Sequence, residues 1–411
     1  MLAYIFPGQG SQYVGMGSAL IKEHRIAKET FEQANDILEF DLTSLMLKGD
    51  MSVLTRTENA QPALLTLSVA AFRVLQNELS ITPNFLLGHS LGEYSALCCG
   101  GVLNFNDSLR IVRKRGLLMQ EAVNNGNGTM MAVSNVSNTV VDSICKEVST
   151  IEKPVTIACF NGPNQVVISG DLQSVRTVEA RLSSEGAVLS SLKVSASFHS
   201  LMMKEAADKL EEFLIDFTFN DSTIPIISNV NAKPYQTNVK EYITLLKRQM
   251  VEPVRWEESI RFIHQAGAKH AIELGSKSVL TNLMSHITND ISSISFENPE
   301  SFTKAKAIVS RYSPPAFLGK CLAIAVATKN RNWNEEEYHS GVIVPYQRIK
   351  SLAEIIEKDN RVLTKEEMVM GIEMLDSVFH TKKIIKEERD NRINELLRVT
   401  KTEQMLQEYI V

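Results

Sequence analysis

Cysteine is scarce in this chain, and what there is has no pattern. Five cysteines stand among 411 residues: Cys98, Cys99, Cys145, Cys159 and Cys321. An odd number without ligand spacing argues against both a disulfide framework and a metal site, and reduced thiols make the expected setting cytoplasmic. A positive excess is also missing. Lys and Arg number 43 against 48 Asp and Glu, a net charge of −5. No polyanion-binding surface covers such a molecule, so nucleic acid is not an expected partner; a local basic patch stays compatible with the count. No window approaches the roughly 20 apolar residues of a membrane span. Met1-Leu2-Ala3-Tyr4-Ile5-Phe6 has no basic segment and runs straight into Pro7-Gly8, so it reads as a first core strand rather than a signal peptide. The turn Pro7-Gly8-Gln9-Gly10-Ser11-Gln12 lacks the Lys-Ser/Thr of a P-loop, which discounts nucleotide binding. Repeats and low-complexity segments are absent.

What is present is a soluble globular composition, 44% hydrophobic and 22% charged, long enough for two or three domains. It is organised around Leu86-Leu87-Gly88-His89-Ser90-Leu91-Gly92-Glu93. The apolar run Phe85-Leu86-Leu87 reads as the end of a buried strand, and Glu93 to Leu97 as the start of a helix. Gly-x-Ser-x-Gly between strand and helix is the context of a nucleophile elbow, which lifts the serine hydroxyl off the sheet. An ordinary glycine-rich turn around a buried serine fits the same pentapeptide.

Along the rest of the chain, periodicity predicts a strand at 3–6 and helices at 17–38 and 60–79. Asp107 reads as the N-cap of a helix over 108–124 that carries Arg110, Arg113, Lys114 and Arg115. After the loop 124–128 come strand 129–134, helix 137–149, strand 154–160, strand 165–169, helix 171–185 and strand 187–194. That βαββαβ order is ferredoxin-like. Residues 195–200 return the chain to helix 201–214, strand 225–229, helices 238–250 and 256–266, strand 269–274 and a helix near 278–287. The predicted fold is α/β. A larger α/β-hydrolase-like subdomain (1–125 and 195–297) holds an inserted ferredoxin-like subdomain (126–194). A linker at 298–318 follows, then a mostly helical extension, 319–411. In that extension Cys321–Thr328 reads as a buried strand or helix, 342–345 as a short strand, and the stretch from Thr364 as helical.

A serine nucleophile needs a base within reach. His89 adjoins Ser90 but lies on the elbow itself, pointing away. His199 sits in a turn at a domain crossing, where clefts form; a structural histidine capping the helix from 201 is the competing reading. Arg115 is either a surface arginine snorkelling to water or, facing the cleft, a fork that grips a free carboxylate. A serine that accepts an acyl group beside such an arginine implies a dicarboxylic half-thioester.

Five separated motifs stand in order: Phe6-Pro7-Gly8-Gln9-Gly10-Ser11-Gln12, Asn59-Ala60-Gln61-Pro62-Ala63, Gly88-His89-Ser90-Leu91-Gly92-Glu93, Arg115-Gly116 with Met119-Gln120, and Phe198-His199-Ser200. With them residues 1–290 resemble the malonyl-CoA:acyl carrier protein transacylases and the acyltransferases of polyketide synthases. The resemblance implies Ser90 as acyl-carrying nucleophile and His199 as its base, oriented by the backbone carbonyl of Gln249 in place of an acid. It implies an oxyanion hole of the Gln9 and Leu91 N–H groups, and Arg115 as the binder of the malonyl carboxylate. Gln61 and Asn229 are implied as pocket-lining amides, a structural amide serving equally for Asn229. His89 supports the elbow. Phe198 before the histidine and Leu91 after the serine fit malonyl over methylmalonyl, a discrimination of about 1–3 kcal/mol for one methyl against an apolar wall.

The implied route is ping-pong. Malonyl-CoA acylates Ser90, CoA leaves, and the phosphopantetheine thiol of an acyl carrier protein takes the malonyl group, with no metal or redox cofactor. Where the family has Gly-Pro-Gly after its last strand, this chain has Gly275-Ser276-Lys277, an expected change of loop and not of chemistry. The extension 319–411 has no nucleophile, metal or phosphate signature. Trp333, Tyr338 and Tyr346 with the helical tail fit either packing back on the core or docking on a synthase partner; an interaction role is favoured, and with the Lys-, Ile- and Asn-rich composition the tail inclines the reading toward a polyketide or hybrid synthase. Two rivals remain in view: an acyl hydrolase of the same fold, and a non-catalytic docking scaffold.

Overall fold

Apolar runs without alternation suit strands covered on both faces, and three such runs make the middle of a five-stranded parallel sheet. β1 (Leu2–Phe6) pairs in parallel with β2 (Phe85–Gly88) on one side and β8 (His270–Leu274) on the other. β7 (Ile226–Ile227) and β9 (Ser292–Phe296) complete the order β7-β2-β1-β8-β9. A second sheet is antiparallel, with β3 (Gly128–Ser134), β4 (Val155–Gly162), β5 (Gln165–Asp171) and β6 (Val188–Ser191) in the order β4-β5-β3-β6. Helices Asn138–Val148 and Leu172–Ser184 cover it around Met131, Val133, Val141, Ile157, Ile168, Val175 and Leu182. Val254 ties this insert to the larger part: its N–H donates to Ala158 O at 2.8 Å and its carbonyl accepts from Phe160 N at 2.9 Å.

This computed structural model describes residues 1–79, 81–124, 127–192, 197–236, 238–297, 299–309, 317–358, 363–400, 402–403 and 405–409. It divides into two compact units. One is Met1–Val74 with Thr82–Phe302, and the other is Leu75–Ile81 with Thr303–Val411.

Local chemistry explains where the sequence reading and the structure part. The predicted helix 17–38 is two helices, Ser18–Glu23 and Arg25–Leu38, separated by an extended His24. The helix carrying Arg115 starts earlier than predicted, at Phe105, and Asn104 is its cap: Asn104 Oδ1 accepts from Asp107 N at 2.8 Å, which puts Asp107 inside the first turn. The helix predicted from 60 begins at Thr57 and runs through Pro62. Pro62 lacks the N–H that would reach the Glu58 carbonyl four residues back, and Arg113 Nη1 donates to that carbonyl instead. The strand expected at 225–229 is only Ile226–Ile227, because Ser228 turns the chain, its N–H donating to Lys233 O at 2.9 Å. β9 goes unmarked in the sequence since this serine-rich edge strand has no clear alternation.

The boundary between the two units, Phe302/Thr303, falls inside the expected linker 298–318, part of which is helical. Pro299–Val309 is a helix and the next begins at Phe317; 298 and 310–316 lie outside the described residues, as do 125–126 of the predicted loop and 193–196 at the return crossing. The C-terminal unit is helical, with helices Phe317–Ala327, Val344–Lys358, Lys365–Thr381 and Lys386–Thr400. Of the two forms read for Cys321–Thr328 the helix is present, ending at Ala327. Residues 342–345 form no strand. A π-turn at His339–Ile343 leads directly into the helix from Val344. Val342, Tyr346, Ile349, Leu352 and Ile356 recur at three- and four-residue steps toward one core with Phe317, Leu375, Phe379 and Leu397, so the helical period outweighs the β-branched run. Lys382 closes the helix Phe317–Ala327, its ammonium donating to Ala325 O and Thr328 O at 2.8 Å each.

Candidate active site

Two glycines make the turn after β2 possible. A Cβ on Gly88 would sit 1.8 Å from the Gly92 carbonyl carbon, and one on Gly92 1.9 Å from the Phe6 carbonyl oxygen. Between them Ser90 is forced to φ 51°, ψ −103°, a conformation non-glycine residues rarely adopt, and strain of this kind collects at functional sites. The helix Leu91–Cys99 starts at the next residue and points its positive end at the serine. The loop after β1 is pressed against the elbow: a Cβ on Gly8 would meet His89 O at 2.4 Å.

Ser90 Oγ lies 2.8 Å from His199 Nε2, and His199 Nδ1 lies 2.6 Å from the Gln249 carbonyl oxygen. The carbonyl can only accept, so Nδ1 carries the proton and Nε2 is free to take one from the serine. The cap of the short helical turn at Leu201 is Ser200, whose Oγ accepts from Met202 N at 3.3 Å; the capping role weighed for His199 goes to its neighbour. His199 is held neutral. Burial, then the Arg115 charge, lower its pKa to about 3, against a smaller upward pull from the Gln249 carbonyl.

Arg115 is 1% exposed, so it is not a snorkelling surface residue. Nη1 donates to Gln61 Oε1 at 2.8 Å, and Nη2 to Ser90 Oγ at 3.1 Å and Gln249 Oε1 at 3.0 Å. The guanidinium lies 5.1 Å from the centre of the Tyr94 ring. Among the described residues it has no ion-pair partner, and its Nε has no hydrogen bond of normal geometry. A buried cation with only neutral amide and hydroxyl partners is unusual, and it is aimed at the nucleophile.

The remaining residues brace this arrangement. Asn229 Oδ1 accepts from Ser90 N at 2.7 Å and its Nδ2 donates to Gly88 O at 2.6 Å, contacts of the structural amide that was one of the two readings for it. Gln61 Nε2 rests on Met119 Sδ at 3.3 Å. His89 turns away to Asn161 of β4 at 2.9 Å and leans on Trp256. The backbone N–H groups of Gln9 and Leu91 have no acceptor among the described residues, and each belongs to a segment that meets at the elbow. Phe198 is buried beside the histidine in sequence. Among the described residues, no cluster of three or more His, Cys, Asp or Glu is placed to hold a metal, and no helix is long and apolar enough to cross a membrane.

Three participants carry no role in the sequence reading: Glu93, Tyr235 and Tyr94. Glu93 is fully buried. It accepts from Gln249 Nε2 at 2.6 Å, from Asn229 N at 3.2 Å and from the Tyr235 hydroxyl. The available signal was a carboxylate in the first turn of an otherwise apolar helix; nothing local marks Tyr235.

The chemistry open to this site is attack of a serine oxygen on a carbonyl, with a neutral imidazole taking the proton. A base with a pKa near 3 is unprotonated throughout the usual working range. We therefore expect acylation of Ser90 to show no loss attributable to His199 as pH falls through 6.5, with the loss setting in only toward pH 4. A pre-steady-state pH profile measures this, and an inflection near 6.5 that follows His199 counts against it. Folding runs the other way: between pH 6.5 and 3 the unfolded chain takes up a proton that folded His199 refuses, so stability falls as pH drops across that window.

The acyl transferase domain family model matches residues 3–307. A malonyl CoA-acyl carrier protein transacylase of Bacillus subtilis is 38% identical over 392 residues, 93% of this chain and 97% of that protein. One from Escherichia coli is 39% identical over 306 residues, 74% of this chain and 98% of that protein. Among solved structures, a malonyl-transacylase in complex with the acyl carrier protein of a type II polyketide synthase superposes with a TM-score of 0.71 at 38% identity, covering 74% of this chain and 98% of its own. An acyl carrier protein S-malonyltransferase from Vibrio cholerae gives 0.72 at 37% identity, covering 74% and 99%.

Proposed function

The chain belongs to the acyl transferase domain family, and from that premise we propose that it moves malonyl groups from malonyl-CoA to the phosphopantetheine thiol of an acyl carrier protein, through a malonyl ester on Ser90. The observation that carries this reading is Arg115: a buried fork 3.1 Å from the nucleophile, in direct contact with no carboxylate among the described residues. A malonyl group brings the missing anion. With its carboxylate on the guanidinium, its thioester carbonyl is set over Ser90 Oγ.

His199 Nε2 takes the serine proton as the C–O bond forms. The tetrahedral oxygen is assigned to the Gln9 and Leu91 N–H groups, each donor of this kind supplying about 3–4 kcal/mol. Collapse expels CoA thiolate, which leaves with the histidine's proton. In the second half the carrier thiol gives its proton to His199, its sulfur attacks the ester, and Ser90 recovers the proton as it departs. Every bond change exchanges an acyl group between sulfur and oxygen, so the route calls for no metal and no redox group. Phe198 and Leu91 are the residues assigned to exclusion of an α-methyl group.

Gln61 and Gln249 hold the arginine fork, Asn229 holds the elbow, and His89 links the elbow to the insert. The βαββαβ connectivity and β4-β5-β3-β6 order of that insert support a ferredoxin-like description, and the strand–elbow–helix at Ser90 supports an α/β-hydrolase-like one for the larger part. The five free cysteines fit the cytoplasmic setting expected from composition. The Escherichia coli relative accounts for 74% of this chain while being itself 98% covered. The extension therefore separates this protein from such relatives, and we assign 319–411 to docking on a synthase that takes its malonyl units from this enzyme.

Intact-protein mass after brief exposure to malonyl-CoA, acetyl-CoA or methylmalonyl-CoA tests the reading. A malonyl adduct on Ser90, with little from the other two, is expected. Free malonate without a lasting adduct points to a hydrolase, and no adduct at all to a scaffold.

A further inference from the structure

Ser90, His199 and Arg115 share one neighbour, Gln249, and Gln249 is held by a carboxylate that no step above uses. Gln249 Oε1 accepts from Arg115 Nη2 at 3.0 Å. Its Nε2 donates to Glu93 Oε2 at 2.6 Å and to the Ser90 carbonyl at 2.9 Å. A side-chain amide has two orientations of nearly equal shape. In the one present, its oxygen faces the cation and its NH2 faces the carboxylate, so the amide dipole lies along the field between two buried charges. The flipped one sets NH2 against guanidinium N–H and oxygen against carboxylate, and both contacts repel. Glu93 can hold this arrangement because it is itself fixed on both oxygens, by Asn229 N on Oε2 and by the Tyr235 hydroxyl on Oε1. Tyr235 is stacked on Tyr242, ring centres 4.9 Å apart.

We propose that Glu93 is a positioning residue for substrate selection: by fixing the Gln249 amide it keeps the Arg115 fork aimed at the place where a substrate carboxylate arrives. This rests on the reading of Arg115 as carboxylate clamp. Glu93 touches neither substrate nor reacting atoms. His199 takes its orientation from the Gln249 backbone carbonyl, which any side chain at that position leaves in place. Losing Glu93 therefore weakens recognition of a carboxylate-bearing acyl group more than it weakens acylation itself. Burial pushes the Glu93 carboxyl up to about 7, and the protonated form still offers Gln249 an oxygen. Glutamine is thus a fair substitute, the Tyr235 hydroxyl turning to accept from the new NH2.

The test is acyl-enzyme formation from malonyl-CoA and from acetyl-CoA by the full-length chain, in wild type, E93L, E93Q and R115A. E93L is expected to raise KM for malonyl-CoA by about tenfold to a hundredfold, the scale of a lost buried acceptor, with kcat and acetylation within about threefold. E93Q is expected to recover malonyl KM to within about threefold. Should E93L fail to fold, Y235F frees Glu93 Oε1 and is expected to give a smaller loss of the same malonyl-specific kind. Equal losses with both acyl groups, or E93Q behaving as E93L, overturn the proposal. R115A separates the two layers: an unchanged malonyl-to-acetyl ratio in R115A sinks the clamp itself, whereas collapse in R115A without any fall in E93L or Y235F sinks only the role of Glu93.

Discussion

Replacement of Ser90 by alanine is expected to abolish the covalent intermediate, with no malonyl adduct by mass and malonyl transfer reduced by about 10⁴- to 10⁶-fold, as for a residue whose loss disables a whole nucleophilic unit. The size follows from the geometry. Among the described residues the hydroxyl that His199 Nε2 faces is that of Ser90, at 2.8 Å. Alanine also suits the space better than a larger residue, since the turn at φ 51° is enforced by the glycines on either side and not by the hydroxyl. S90A should therefore fold and still bind malonyl-CoA through Arg115. Unchanged labelling in S90A would place the acyl group on another residue and undo the route.

The second large effect is expected from Arg115→Ala. Truncating one partner of a buried, hydrogen-bonded charge pair costs about 2–5 kcal/mol, or roughly 30- to several-thousand-fold. That loss should fall on malonyl-CoA and spare acetyl-CoA, which has no anion to place. Alanine also removes a charge that depresses the His199 pKa. The base in the variant is accordingly expected to titrate closer to its ordinary value, and residual acetylation to weaken at a higher pH than in wild type. Arg115→Lys keeps the charge but loses the two-pronged contact, and should fall between. Parallel losses of malonyl and acetyl labelling would instead mark Arg115 as a general support of the elbow.

Legibility of the site in the sequence depends on how local each constraint is. Gly88, Ser90 and Gly92 are readable because their demands are met within five residues: a strained turn and two close approaches. His199 and Arg115 are single residues whose neighbours in sequence give no sign of where they point; both stay ambiguous until the order of five motifs ties them to a family. Glu93 meets Asn229, Tyr235 and Gln249 across separations of 136 to 156 residues, and no periodicity or spacing reports such contacts. The fold divides the same way. The central strands, buried on both faces, announce themselves as apolar runs. The edge strand Ser292–Phe296 does not, and the β-branched stretch at 342–344 is misread because only its packing against Ile349, Leu375 and Phe379 reveals a helical face.

Arg115 touches no carboxylate among the described residues, Glu93 reaching it only through the Gln249 amide, and this has a consequence for the protein between turnovers. A buried charge without a counter-ion in contact works against folding, and on the proposed route the empty form bears it. On the proposed route a malonyl group on Ser90 tethers the anion in place, so the loaded enzyme is expected to be the sturdier of the two. Heat, protease and denaturant should then all find the idle molecule first. When carriers are scarce and malonyl-CoA is not, the population shifts to the loaded form, and the enzyme waits for its acceptor in its most durable state.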